Sequence, residues 1–276
     1  MSKCEQYRVG ICGYGFVGTA LYNSFTAKDI HVDIYDKFIE RFNHITNILH
    51  CDIVFLCLPT KFDSNINSYD KTALYDVCEY LDQSKYTGSV VIKSTIEPGT
   101  TDHLSNKYNL SFIHNPEFLT ARTASEDYNN QTHIVLGRGT TCTDELYNHT
   151  IQFHKVNYPE AEISSCTSLE SESMKLFANC FYSVKVQFFT ELYLLCEKIQ
   201  IDYDQIKDLM LKNNWINPMH TQIPGPDGKI SYGGLCFPKD TSALLNYMKR
   251  YNSAHMVLES VIEERNIMRD DQANCI

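Results

Sequence analysis

Arg8-Val9-Gly10-Ile11-Cys12-Gly13-Tyr14-Gly15-Phe16-Val17-Gly18 is the stretch that decides the fold. An apolar run of strand character, 8–12, meets a Gly-x-Gly-x-x-Gly turn that opens a helix over 16–25. In that context the turn holds a dinucleotide. Its first glycine permits the tight turn, its second lets a pyrophosphate approach the backbone, and its third lets helix pack on strand. The helix N-terminus then offers amides to the phosphates. Asp36 closes the next strand, 30–35. A carboxylate there accepts hydrogen bonds from a ribose diol and repels a 2′-phosphate, which favours NAD over NADP. Gly13, Tyr14, Gly15, Phe16, Val17 and Gly18, with Asp36, therefore form the candidate cofactor cradle. The alternative is a glycine-rich turn with Asp36 capping a loop.

Outward from this stretch, short apolar runs alternate with helical ones. Strands are predicted at 53–58, 89–93, 110–113 and 132–137, with a helix over 72–81. Continuous apolar runs between helices indicate parallel strands covered on both faces, an α/β doubly wound sheet of Rossmann type. Near residue 164 the pattern changes to helical spacing, with one long helix over 169–199 and a second over 203–211. A Pro- and Gly-rich loop over 213–240 leads to a last amphipathic helix over about 241–269. The expected division is a cofactor domain, 1–165, and an all-α domain, 166–276, for substrate and dimer contacts.

A chain of 276 residues with 43% apolar and 21% charged side chains has globular proportions. The 24 basic and 34 acidic residues give a net charge of −10, which argues against nucleic acid as partner. No apolar run approaches the ~18 residues of a membrane span. The first eight residues are polar, so no signal peptide is expected. The 11 cysteines form no Cys-x-x-Cys pair, which fits thiols in a reducing cytoplasm and gives no metal site.

Several polar residues follow strands or share helix faces. Thr95 and Glu117 stand in loops after strand ends, where a doubly wound sheet binds ligands. The plain alternatives are a turn or helix cap for Thr95 and a solvated loop acid for Glu117. Lys175 and Asn179 lie four apart on the long helix, with Glu172 a turn earlier. The Lys and the Asn side by side suit a substrate oxygen that develops charge; otherwise the three form an exposed Glu–Lys pair beside a surface Asn. Gly233-Gly234-Leu235-Cys236-Phe237-Pro238-Lys239-Asp240 is the sharpest local feature. Its glycines permit close approach to the backbone. A thiol near a helix N-terminus with Lys239 close by is set up as a nucleophile, and Asp240 as a base. The plain alternative is a loop thiol with Asp240 as an N-cap.

Taken in order, these motifs resemble the UDP-glucose/GDP-mannose dehydrogenase family over residues 8–268. The resemblance implies oxidation of a sugar C6 alcohol to the carboxylate with two NAD, as in UDP-glucose to UDP-glucuronate. It implies that Cys236 carries a thiohemiacetal and then a thioester. Lys175 and Asn179 would bind the reacting oxygen, with Asp240 in proton transfer. Thr95 would place a water, and Glu117 would act as base for hydrolysis. Pro59, Thr60, Ser94 and Thr95 would border the cofactor. Phe118, Leu119, Gly233, Gly234 and Lys239 would line the sugar site beside Glu117, Lys175 and Asn179. A homodimer through the helical domain is also implied.

The resemblance has gaps. The family carries a third domain that holds much of the UDP, whereas this chain ends at Ile276. Ala121 stands where an acid is usual, and Trp215 where an Arg reaches a neighbour's sugar. Lys61 replaces the second Pro of a Pro-Thr-Pro, and the segment from Asp36 to Ile53 is short. A subunit that binds NAD but needs a partner for UDP is one alternative function. A two-electron dehydrogenase of β-hydroxyacid type is another, although that group lacks the Gly-Gly-x-Cys-Phe-Pro-Lys-Asp segment.

Overall fold

The computed structural model describes residues 7–120, 122–269 and 271. The fold has two compact units: Met1–Thr60 with Asp70–Lys175, and Lys61–Tyr69 with Leu176–Ile276.

The first unit is a seven-stranded sheet. β1 (Arg8–Cys12) pairs in parallel with β2 (His31–Tyr35) and β3 (Ile53–Leu56). Two 2-residue strands, β4 (Phe62–Asp63) and β5 (Ser68–Tyr69), leave the sheet and are described with the second unit. The sheet continues through β6 (Ser89–Ile92), β7 (Ser111–His114), β8 (His133–Arg138) and β9 (Glu162–Thr167). The order is β2-β1-β3-β6-β7-β8-β9. Alternate residues fill the two faces. Val9, Ile11, Ile53, Phe55 and Val91 enter one core cluster, and Cys12, Val54, Leu56, Val90 and Ile92 the other. Each large side chain buried here contributes about 1.5–3 kcal/mol. Helices α1 (Phe16–Thr26), α2 (Thr72–Gln83), α3 (Thr100–Lys107), α4 (Ala124–Asn129) and α5 (Asp144–Asn157) supply the covering layers.

One edge of the sheet departs from the all-parallel expectation. β8 runs antiparallel to β7, and β9 extends the reversed edge parallel to β8. The short segment after Asp36 forms two 3-10 turns, Glu40–Phe42 and Ile45–His50, and the buried Ile48 packs beneath the sheet.

α6 (Ser168–Ile199) has 32 residues, about 48 Å at 1.5 Å each. The division between the units falls within it, after Lys175.

The second unit is helical from α6 onward, as expected, and it also takes in the β4–β5 hairpin from the N-terminal part of the sequence. Phe62 and Tyr69 pack with Leu176, Cys180, Ala243, Leu244, Leu245 and Leu258. α7 (Tyr203–Leu211) starts on an Asp202 N-cap that accepts from the amides of Asp204 and Gln205. The expected last helix is two. α8 (Phe237–Arg250) begins four residues early, and α9 (Met256–Met268) follows a break. Asn252, with φ +51°, makes the break. The Ser253 amide reaches back to the Met248 carbonyl and that of Asn252 to Lys249, the paired bonds that end a helix on a left-handed residue. No helix among the described residues is long and apolar enough to cross a membrane.

His154 on α5 gives a stability prediction. Its ring sits among those of Phe55, Phe153 and Tyr158, and among the described residues neither ring nitrogen finds a hydrogen-bond partner. Burial pushes its pKa down to about 3 from an ordinary 6.5. The folded state therefore holds the neutral ring while the unfolded chain takes a proton. Stability is complete above the unfolded value and is lost as pH falls from 6.5 toward 3. The limiting slope is about 1.4 kcal/mol per pH unit. Melting temperatures from pH 7 to pH 4 should fall less steeply in His154→Phe than in the wild type. Parallel curves would assign the acid loss elsewhere.

Candidate active site

The glycine turn has the geometry a dinucleotide needs. Gly13 has φ +90°, and its amide donates to the Tyr35 carbonyl at 2.8 Å. A Cβ on Gly13 would lie 2.4 Å from the Cys57 carbonyl oxygen, and one on Gly18 would lie 2.0 Å from that of Gly13. A Cβ on Gly15 would meet nothing within 4 Å, so this side of the turn is open to a phosphate. Gly15 is also the N-cap of α1, whose first turn holds no acid. Asp36 is fixed by the amides of Tyr14 at 2.8 Å and Phe38 at 3.0 Å. One backbone bond per carboxylate oxygen leaves lone pairs for a ribose diol. Val17 and Phe16 sit in the first turn of α1.

Beyond the cradle, the predicted border residues act partly as straps. Ser94 Oγ accepts from the Leu58 amide and donates to the Leu58 carbonyl at 2.7 Å, which ties the end of β6 to that of β3. Thr60 Oγ1 donates to the Thr95 carbonyl at 2.7 Å. Pro59 beside it is exposed. Thr95 is not a helix cap, because Gly99 holds the N-cap position of α3. The cap comes instead from Glu172, whose carboxylate accepts from the amides of Gly99 at 2.6 Å and Thr101 at 2.7 Å. Glu172 is wholly buried, and burial pushes its carboxyl up to about 7.

Glu117 and Lys175 meet within the first unit, and both are buried. Lys175 Nζ lies 3.4 Å from Glu117 Oε1 and donates to the Glu117 carbonyl at 2.5 Å. Glu117 Oε2 accepts from the Leu119 amide at 2.6 Å. The Phe118 ring, half exposed, lies 5.4 Å from the ammonium and stacks on His133. Burial therefore excludes both the solvated acid and the exposed Glu–Lys pair.

Lys93, absent from the sequence-based candidates, underlies this turn. It is 2% exposed and donates to Asn115 Oδ1 at 3.0 Å and to the Pro116 carbonyl at 3.4 Å. Burial pushes its ammonium down to about 8. A lysine at the end of an otherwise apolar strand was the available signal.

In the second unit the centre is Asp240, with no exposed surface. Its Oδ1 accepts from Tyr69 Oη and Lys239 Nζ, each at 2.5 Å, and its Oδ2 from Asn179 Nδ2 at 2.7 Å. Asp240 does not cap α8. Cys236 occupies the N-cap position, and the Asp240 amide donates to its carbonyl at 3.0 Å. Cys236 is half-buried, one helical turn from the carboxylate.

The two glycines differ. A Cβ on Gly233 would lie 2.5 Å from the Arg269 guanidinium, so the space is filled by the chain itself. Arg269 donates to the Ser231 carbonyl at 3.0 Å and pairs with Asp227, and Arg265 donates to the Tyr232 carbonyl at 3.2 Å. Gly234, with φ +77°, has nothing near its missing side chain. Trp215 is almost fully exposed. Ala121 lies outside the described residues.

Comparison with known proteins places two domains in order. Residues 37–152 match the UDP-glucose/GDP-mannose dehydrogenase family, NAD binding domain, and residues 169–266 match its central domain. The glycine turn precedes the first match, so its role rests on the geometry above. A UDP-glucose 6-dehydrogenase of Campylobacter jejuni is 28% identical over 86% of this chain and 61% of its own length. A UDP-glucose dehydrogenase structure from Pyrobaculum islandicum superposes with a TM-score of 0.85 at 20% identity, over 97% of this chain and 70% of that one. A Mycobacterium tuberculosis 3-hydroxyisobutyrate dehydrogenase shares the fold with a TM-score of 0.72 at 14% identity, over 98% and 96%. The chain spans 49–61% of the length of the first curated relatives.

Proposed function

Because this chain belongs to the UDP-glucose/GDP-mannose dehydrogenase family and carries its NAD-binding domain, we propose that it oxidises a nucleotide-sugar C6 alcohol to the carboxylate, in the manner of UDP-glucose to UDP-glucuronate. The observation that carries this reading is Cys236 at the N-cap of α8, one turn from a buried Asp240 bonded to Asn179 and Lys239. A two-electron alcohol oxidation needs no nucleophile, whereas alcohol to acid gains from a covalent thiol.

The open side of Gly15 and the carboxylate of Asp36 would hold the pyrophosphate and a ribose of NAD. NAD when bound supplies a hydride acceptor at each of two oxidations. Lys175 and Asn179 bind the reacting oxygen and stabilise charge on it, and Asp240 takes its proton. Cys236 Sγ adds to the aldehyde carbon, and the thiohemiacetal is oxidised to a thioester. Glu117 withdraws a proton from a water placed by Thr95, and that water releases the acid and the thiol. One alcohol, two NAD and one water give one carboxylate, two NADH and three protons. Phe118, Leu119, Gly234 and Lys239 are proposed to line the sugar. The protein is proposed to be cytoplasmic and to serve polysaccharide precursor synthesis. A homodimer through the helical unit is supported by Phe177, Phe181 and Phe188 on α6, each at least half exposed, and by Met256 and Val257 on α9.

The test is the NADH yield on limiting UDP-glucose. Two NADH per sugar is the expected result. One would favour the two-electron dehydrogenase. None, with NAD binding shown separately, would favour a subunit that requires a partner for UDP.

A further inference from the structure

Tyr69 comes from the N-terminal part of the sequence but belongs to the helical unit, carried there by the β4–β5 hairpin. Its ring is completely buried in the cluster of Phe62, Leu176, Cys180 and Leu244. Its hydroxyl donates to Asp240 Oδ1 at 2.5 Å. Lys239 shares that oxygen, and its ammonium sits 4.5 Å from the Tyr69 ring centroid.

A buried carboxylate persists only where its oxygens are bonded. Asp240 meets this need from three separate segments: the hairpin, α8 and α6. These donors do different work. Lys239 is a flexible, partly exposed cation and supplies charge. Asn179 holds the other oxygen. Tyr69 is a rigid phenol locked by packing, with two side-chain torsions, and it fixes the plane of the carboxylate. We propose that Tyr69 is a positioning residue for the proton-transfer chemistry of Asp240, an inference that rests on the dehydrogenase reading above.

Tyr69→Phe removes one hydroxyl and keeps the buried ring. A hydrogen bond to a charged group is worth about 1.5–3 kcal/mol, so kcat should fall about 10- to 100-fold. The KM values for UDP-glucose and NAD should stay within about twofold, because Tyr69 is completely buried and its hydroxyl is bonded to Asp240. Phe62→Leu on the same hairpin is the control. It should lower the melting temperature without the selective loss of kcat. Wild-type kcat in Tyr69→Phe, a loss appearing in KM instead, or an equal kcat loss in Phe62→Leu would each overturn the positioning role and leave the dehydrogenase reading standing. A wild-type chain that reduces no NAD with UDP-glucose, UDP-N-acetylmannosamine or GDP-mannose would overturn that reading and this role together.

Discussion

Cys236→Ala should lose at least about a thousandfold in steady-state acid formation, with the Kd for NAD within about twofold of wild type. Cys236 is at the N-cap of α8 and is not one of the residues of the glycine turn at β1 and α1, so the substitution removes no group from the cradle. Six of the other cysteines are poor substitutes. Burial pushes the thiols of Cys51, Cys57 and Cys78 up to about 12 and that of Cys142 to about 11, and it raises Cys12 and Cys180 as well. The thiolate is the nucleophile, so these six are silent near neutral pH. Residual turnover should yield one NADH per sugar, since the first oxidation does not need the thiol. Brief iodoacetamide treatment at pH 7.5, read by peptide mapping, should modify Cys236 before any of those six and abolish acid formation in step. Full acid formation by Cys236→Ala would dismiss the thioester route.

The sheet was legible in the sequence because burial of a parallel strand is a local property. Ile53-Val54-Phe55-Leu56 is apolar throughout and is buried on both faces. Direction was not local. The link from His114 to His133 is long enough for a crossover, yet β8 returns antiparallel to β7. β9 carries no strand signal in the sequence, because an edge strand of sequence Glu162-Ile163-Ser164-Ser165-Cys166-Thr167 is only partly buried and has no apolar run. The hairpin strands are two residues each, too short for any period to register. Asn252 was a readable helix stop, but the apolar spacing on either side of it suggested one continuous helix.

The site divides in the same way. Motif residues such as Gly13, Asp36, Glu117, Lys175 and Cys236 carry local signals in spacing or neighbours. Their supports do not. Tyr69 reaches Asp240 across 171 residues of sequence, and Glu172 reaches Thr101 across 71. Gly233 shows the converse. Its lack of a side chain was readable, but the group that fills the space, Arg269, lies on a distant segment.

Lys175→Met should reduce kcat about 10²- to 10³-fold, the range for losing one preorganised group that stabilises a developing oxyanion. It should also destabilise the fold, and the two effects can be separated. Lys175 and Glu117 are both buried, with the ammonium 3.4 Å from Oε1 and bonded to the Glu117 carbonyl. Removing one partner of a buried pair leaves an uncompensated charge, at a cost of about 3–5 kcal/mol. Lys93 tempers this only in part, because its ammonium is committed to Asn115 and Pro116. Neutralising the remaining carboxylate should therefore restore what its loneliness cost. Lys175→Met with Glu117→Gln should regain most of the lost stability in urea unfolding while staying inactive, since neither the cation nor the base is present. A double variant as unstable as Lys175→Met alone would mean that Lys175 matters through its packing against Phe118 rather than through its charge. A Lys175→Met chain with near-wild-type kcat would remove Lys175 from the oxygen-binding role and leave it as the structural counterion of Glu117.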